Sequence, residues 1–96
     1  MKSANDKSPS LNTAFLLMAQ YNGKAVIPLA DVCRDFFSHL EPGHFGRKID
    51  AGEIKLPLVR MEASAKSARG IHLQDLADYI DERRAAALKE LRQLTG

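Results

Sequence analysis

The spacing of the backbone breakers constrains this chain more than any other feature. Asn22-Gly23, Pro28, Pro42-Gly43, Gly52 and Pro57 interrupt its first 57 residues, so no element there can be long. Glycine favours the left-handed exit of a helix, and proline removes a backbone donor and stops one. Only the last stretch, "QDLADYIDERRAAALKELRQL", runs uninterrupted over a helical period. The expectation is several short elements around one core, followed by one long terminal helix.

Read between the breakers, the apolar pattern predicts those elements. "NTAFLLMAQYNG" is a helix capped by Asn12 or Thr13, apolar on nearly all sides and therefore expected to be mostly buried. "KAVIP" is a short β-favouring piece whose Pro28 can cap or open the next helix. That helix is "LADVCRDFFSHL", with Leu29, Val32, Cys33, Phe36, Phe37 and Leu40 at helical spacing. "EPGHFGRKIDAG" opens a third helix at Glu41 or Pro42 and closes it at Gly52, and Phe45 and Ile49, four apart, define its core face. "EIKLPLVRMEA" predicts a strand that Pro57 confines to a sheet edge, and "SAKSARG" connects it to a second strand at "IHL". Residues 1–10, "MKSANDKSPS", have almost nothing apolar to bury and are expected to be a disordered leader to a domain over residues 11–96.

Helix, short strand, helix, turn, helix, hairpin, helix is the order of a winged helix-turn-helix: mainly α with a small β-hairpin and a long C-terminal helix. In that fold the third helix enters the major groove of DNA and the hairpin is a wing on the backbone or minor groove. The charge distribution agrees with this. Residues 47–70 hold Arg47, Lys48, Lys55, Arg60, Lys66 and Arg69 against Asp50, Glu53 and Glu62, whereas the net charge of the whole chain is only +2. The candidate DNA-binding residues are Gly43, His44, Arg47 and Lys48 on the helix, Lys55 and Arg60 after it, and Lys66, Ser67 and Arg69 at the tip of the wing. Arg47 is the candidate base reader because guanidinium is the better bidentate donor, and Lys48 the phosphate contact. Gly43 and Gly46 weaken the helix and would let its backbone approach the sugar-phosphate chain.

Other function classes find little support. There is no H-E-x-x-H, no G-x-S-x-G and no phosphate-cradling glycine loop, and Cys33, His39 and His44 lack the spacing of zinc ligands. Hence no enzyme, metal, cofactor or small-molecule substrate is expected. The single cysteine cannot form an internal disulfide and reads as a small buried hydrophobe. No apolar run reaches the roughly 18 residues of a membrane span, and the N-terminus does not resemble a signal peptide. A soluble, cytoplasmic protein is the expectation.

The final helix carries a second pattern. Leu73, Ala77, Ile80, Arg84, Ala87, Leu91 and Leu94 step alternately by four and three, which is a heptad seam. Asp75, Asp78 and Asp81 lie early and Lys89 and Arg92 late, so an antiparallel partner would meet opposite charge. A homodimer joined through about residues 73–94 is expected, with Leu73, Ala77, Ile80, Ala87, Leu91 and Leu94 as its dimerisation residues.

The runs "NTAFLLMAQYNGKAVIP", "VCRDFFSHL", "KIDAGEIKLPLVR" and "SAKSARGIHLQDLADYID" resemble the PrtN-type pyocin activators over about residues 12–83. The resemblance implies a double-stranded-DNA-binding activator at promoters of phage-tail-like bacteriocin genes, released from repression in the DNA-damage response, with RNA polymerase as a further candidate partner. "IPLADVCRDFF", "HFGRKIDAGEI" and "GIHLQDLADYI" also look like the excisionase and MerR-like winged-helix domains. From those this chain departs at Pro28, where a Ser or Thr cap is usual, and in the longer turn "FSHLEPG". Two other readings compete: an excisionase-type architectural factor that bends DNA, and a protein-interaction module such as an antirepressor.

Overall fold

The computed structural model describes residues 11–96; the leader expected over residues 1–10 lies outside them. In chain order come α1 (Thr13–Gln20), β1 (Val26–Pro28), α2 (Leu29–Phe36), α3 (Pro42–Asp50), β2 (Val59–Arg60), β3 (Arg69–His72) and α4 (Leu73–Thr95). The mainly helical winged helix-turn-helix order is present, with the long helix at its end. The β-favouring piece before α2 also has a partner, because the strands form one antiparallel sheet in the order β1-β3-β2. In the central strand β3, Ile71 lies opposite Ile27, and Gly70 lies opposite Pro28 on one side and Val59 on the other. Pro28 is tolerated because β1 is an edge strand, and it caps α2 from its extended backbone.

One core joins all these elements. Ile27, Val32, Phe45, Ile71 and Leu76 are completely buried, and Leu17, Leu29, Ile49, Leu56 and Leu73 close around them. The ring of Phe37 stacks on that of Phe45 at 4.5 Å, which ties the end of α2 to the start of α3. Cys33 is buried as expected, and its thiol donates to the carbonyl of Leu40 at 3.1 Å. Burial raises the pKa of that thiol.

Three expectations are corrected. α1 is not mostly buried: Leu17 and Tyr21 reach the core, while Phe15, Leu16 and Met18 stay exposed along with Leu11 before the helix. The cause is that α1 packs along one side of α4, which leaves its outer side without a packed neighbour among the described residues. α2 ends at Phe36 rather than Leu40, since Phe37 leaves helical geometry to stack on Phe45 and Leu40 then folds onto the core. The strand after α3 is two residues long, because Pro57 has no N–H and β3 offers few partners. Ile54 and Leu56 are buried beneath this irregular segment instead.

Polar contacts hold α1 in place. Asn12 caps it by accepting from Phe15 N at 3.0 Å, Thr13 donates to Asp81 on α4 at 2.6 Å, and Tyr21 donates to Asp35 on α2 at 2.5 Å. Arg34 and Tyr21 both donate to Asp35 and hold its carboxyl below the usual range. Burial pushes the Tyr21 phenol up, and the hydrogen bond to Asp35 reinforces the shift.

Candidate nucleic-acid interface

The faces of α3 follow from its period. Phe45, Gly46 and Ile49 are buried, which turns Gly43, His44, Arg47 and Lys48 to the opposite side as one contiguous surface. Pro42 at the first turn needs no donor, and Glu41 provides the extended entry. A Cβ placed on Gly43 would lie 3.6 Å from Nη1 of Arg47, so the guanidinium runs back over Gly43 toward the start of the helix. Among the described residues Arg47 meets no carboxylate within ion-pair distance, and it is exposed. It is the open donor at the centre of this face.

Its neighbours are already engaged. Lys48 pairs with Glu53 at 2.9 Å, and this ammonium holds the Glu53 carboxyl below the usual range. Arg60 reaches Asp50 at 3.4 Å, and Lys55 donates to the carbonyl of Gly52 at 3.1 Å. Lys55 and Arg60 therefore gather at the C-terminal end of α3, where Gly52 takes a positive φ and the chain turns toward β2. These exposed pairs are weak, so a phosphate can displace the carboxylates at little cost. Asp50 and Glu53 are the members of this surface that sequence reasoning missed, although the spacing of Lys48 and Glu53 across a helix stop was a usable signal.

The wing is smaller than expected. Its loop closes where Met61 N bonds to Ala68 O at 3.1 Å, and Ser67 Oγ accepts from Glu62 N at 2.8 Å while donating to Ala68 O. The Ser67 hydroxyl thus holds the loop together rather than facing outward, and Lys66 remains as the exposed cation at the tip. Arg69 is not at the tip. It lies in β3 opposite Arg60, and its guanidinium crosses to α3: a Cβ on Gly46 would stand 3.3 Å from Nη2 of Arg69 and from Cδ2 of Leu29. Gly46 is therefore used for an approach within the domain, not for an approach to DNA.

If the wing meets DNA, Lys66→Ala is expected to weaken binding to any duplex and to reduce its salt dependence by about one counterion, with no change in melting temperature. Arg69→Ala is expected to lower the melting temperature as well, because it removes the side chain packed between β3 and α3. Fluorescence anisotropy on DNA beside a thermal melt separates the two, and equal melting temperatures for both variants would contradict the packing role of Arg69.

With this geometry in place, one comparison decides the family. The family model of the pyocin activator protein PrtN matches residues 13–87, from the start of α1 to the middle of α4. The chain belongs to the PrtN pyocin activator family. No curated protein and no solved structure matches it. PrtN is a regulatory family of transcriptional activators rather than an enzyme class. Among the described residues no helix is long and apolar enough to cross a membrane.

The dimerisation residues expected on α4 divide into two sets. Leu73 and Ala77 lie in the domain's own core, and Ile80 packs against it, so the first part of the seam is used within the chain. This corrects the expectation that Leu73 and Ala77 face a partner, and the reason is that α4 is the element α1 packs on. Ala87, Leu91 and Leu94 lie beyond the body of the domain and are exposed.

Proposed function

We propose that this PrtN-family protein activates pyocin genes by binding their promoters sequence-specifically, as a homodimer joined through the free half of α4. α3 enters the major groove, Arg47 reads a base edge, Lys48 and Lys66 meet phosphates, and the wing follows the backbone or minor groove. The observation that carries this reading is the open face of α3, where Gly43, His44, Arg47 and Lys48 stand together with Arg47 unpaired among the described residues. Two copies present two such helices, the usual arrangement for reading paired half-sites.

The test is a comparison of a pyocin-promoter duplex with a random duplex over a series of salt concentrations. Affinity for both should fall steeply with salt, and the promoter should be preferred. Arg47→Ala should lose about 1–3 kcal/mol of that preference, whereas Lys48→Ala should weaken both duplexes alike. Equal losses on the two duplexes for Arg47→Ala would refute base reading. No binding at low salt would refute the DNA-binding function.

A further inference from the structure

α4 has two unlike halves. From Leu73 to Ile80 it is built into the domain, and from Asp81 onward every residue but the half-buried Leu88 is exposed. At 1.5 Å per residue the second half projects by about 20 Å. An isolated helix of that length is marginal in water, and Leu91 and Leu94 are 54% and 81% exposed on the side where Ile80 meets the core. Beside the first half lies an open apolar groove of about 280 Å³, lined chiefly by Phe36, Phe37, Leu76, Tyr79 and Ile80, with Arg83 at its rim. The α4 wall of the groove and the exposed leucines belong to one unbroken helix, so a chain cannot fold its own Leu91 and Leu94 back into the groove.

We infer that the Phe36–Tyr79–Ile80 groove receives Leu91 and Leu94 of a second copy, with the two α4 helices antiparallel and crossing near Ala85–Ala87. This rests on the dimeric reading above and specifies its surface. In the antiparallel heptad register Leu91 of the second copy lies against Ile80, and Leu94 lies beyond it. Ala77 is already covered by the domain's own core, so Leu94 is displaced sideways toward Tyr79 and Phe36, where the groove opens.

The flanking charges fit the same register. Arg83 and Glu90 are seven residues apart and lie on one side of the helix, and antiparallel pairing sets Arg83 of each copy beside Glu90 of the other. Parallel pairing would bring neither pair together. Small residues at the crossing let the helices approach, and Arg84, the one charged residue in the seam, penalises other registers. Because each copy gives and receives the same leucines, the contact is closed by a twofold axis and does not propagate.

Light scattering on the eluting full-length protein at micromolar concentration, without DNA, tests the proposal. The wild type should have twice the 10.6 kDa mass of one chain. Leu91→Asp with Leu94→Asp should give a monomer with unchanged melting of its domain, since neither residue touches the core. Arg83→Glu alone and Glu90→Arg alone should each weaken the dimer at least tenfold, and the two together should restore it. A monomeric wild type overturns the proposal, and so does a dimer indifferent to these four changes. Failure of DNA binding is read in a separate assay and leaves this result standing.

Discussion

Phe45→Ala is expected to destabilise the domain by about 3–5 kcal/mol, the range for removing a buried aromatic ring from a core. The side chain is completely buried, it stacks on Phe37, and it is the largest group fixing α3 to the body of the protein. Ile49 alone would then hold the helix from within. Since small domains have only about 5–15 kcal/mol in all, much of the protein should be unfolded near physiological temperature. Under the proposed function, DNA binding should fall with it although none of the residues proposed to face DNA has changed. Urea unfolding followed by circular dichroism, at one protein concentration, measures the loss. Phe15→Ala is the matched control, because Phe15 is 62% exposed on α1 and should cost little. Similar values for the two variants would contradict the packing of α3 described above.

Gly70→Ala should be nearly as damaging despite adding a single methyl group. A Cβ at residue 70 would stand 2.5 Å from the carbonyl oxygen of Ile27 and 2.8 Å from Cγ1 of Val26, so β1 and β3 must separate. Overpacking of this kind costs about 1–3 kcal/mol, and here the obstacle is backbone that cannot turn aside. Gly70 lies opposite residues of both edge strands, so the sheet loses its register on either side. For a domain of this size each kcal/mol lowers the melting temperature by about 4–8 °C, which makes the effect plain in a thermal melt. Gly43→Ala is expected to act in the opposite direction. Its position has room, and alanine favours the helix by up to about 1 kcal/mol. A Gly70→Ala variant that melts with the wild type would show that the strands are not this close.

Much of this protein follows from local chemistry. The breakers set the order and approximate ends of the helices, and the helical period put Phe45 and Ile49 on one side of α3 and Arg47 and Lys48 on the other. Those rules act over a few residues and need no neighbour. The family resemblance was legible for a similar reason, since it rests on continuous runs of sequence.

What lies against each face was decided by tertiary structure. Nothing near Phe15 or Met18 in the sequence says that α1 packs on one side only, and nothing near Leu73 or Ala77 says that this part of the seam is used inside the domain. Arg69 crosses from β3 to Gly46, and Gly70 is required because Ile27 passes beside it. These contacts join residues more than twenty positions apart. Period and propensity determine which side of an element is apolar, but only the packed fold determines whether that side meets its own chain, another copy or water.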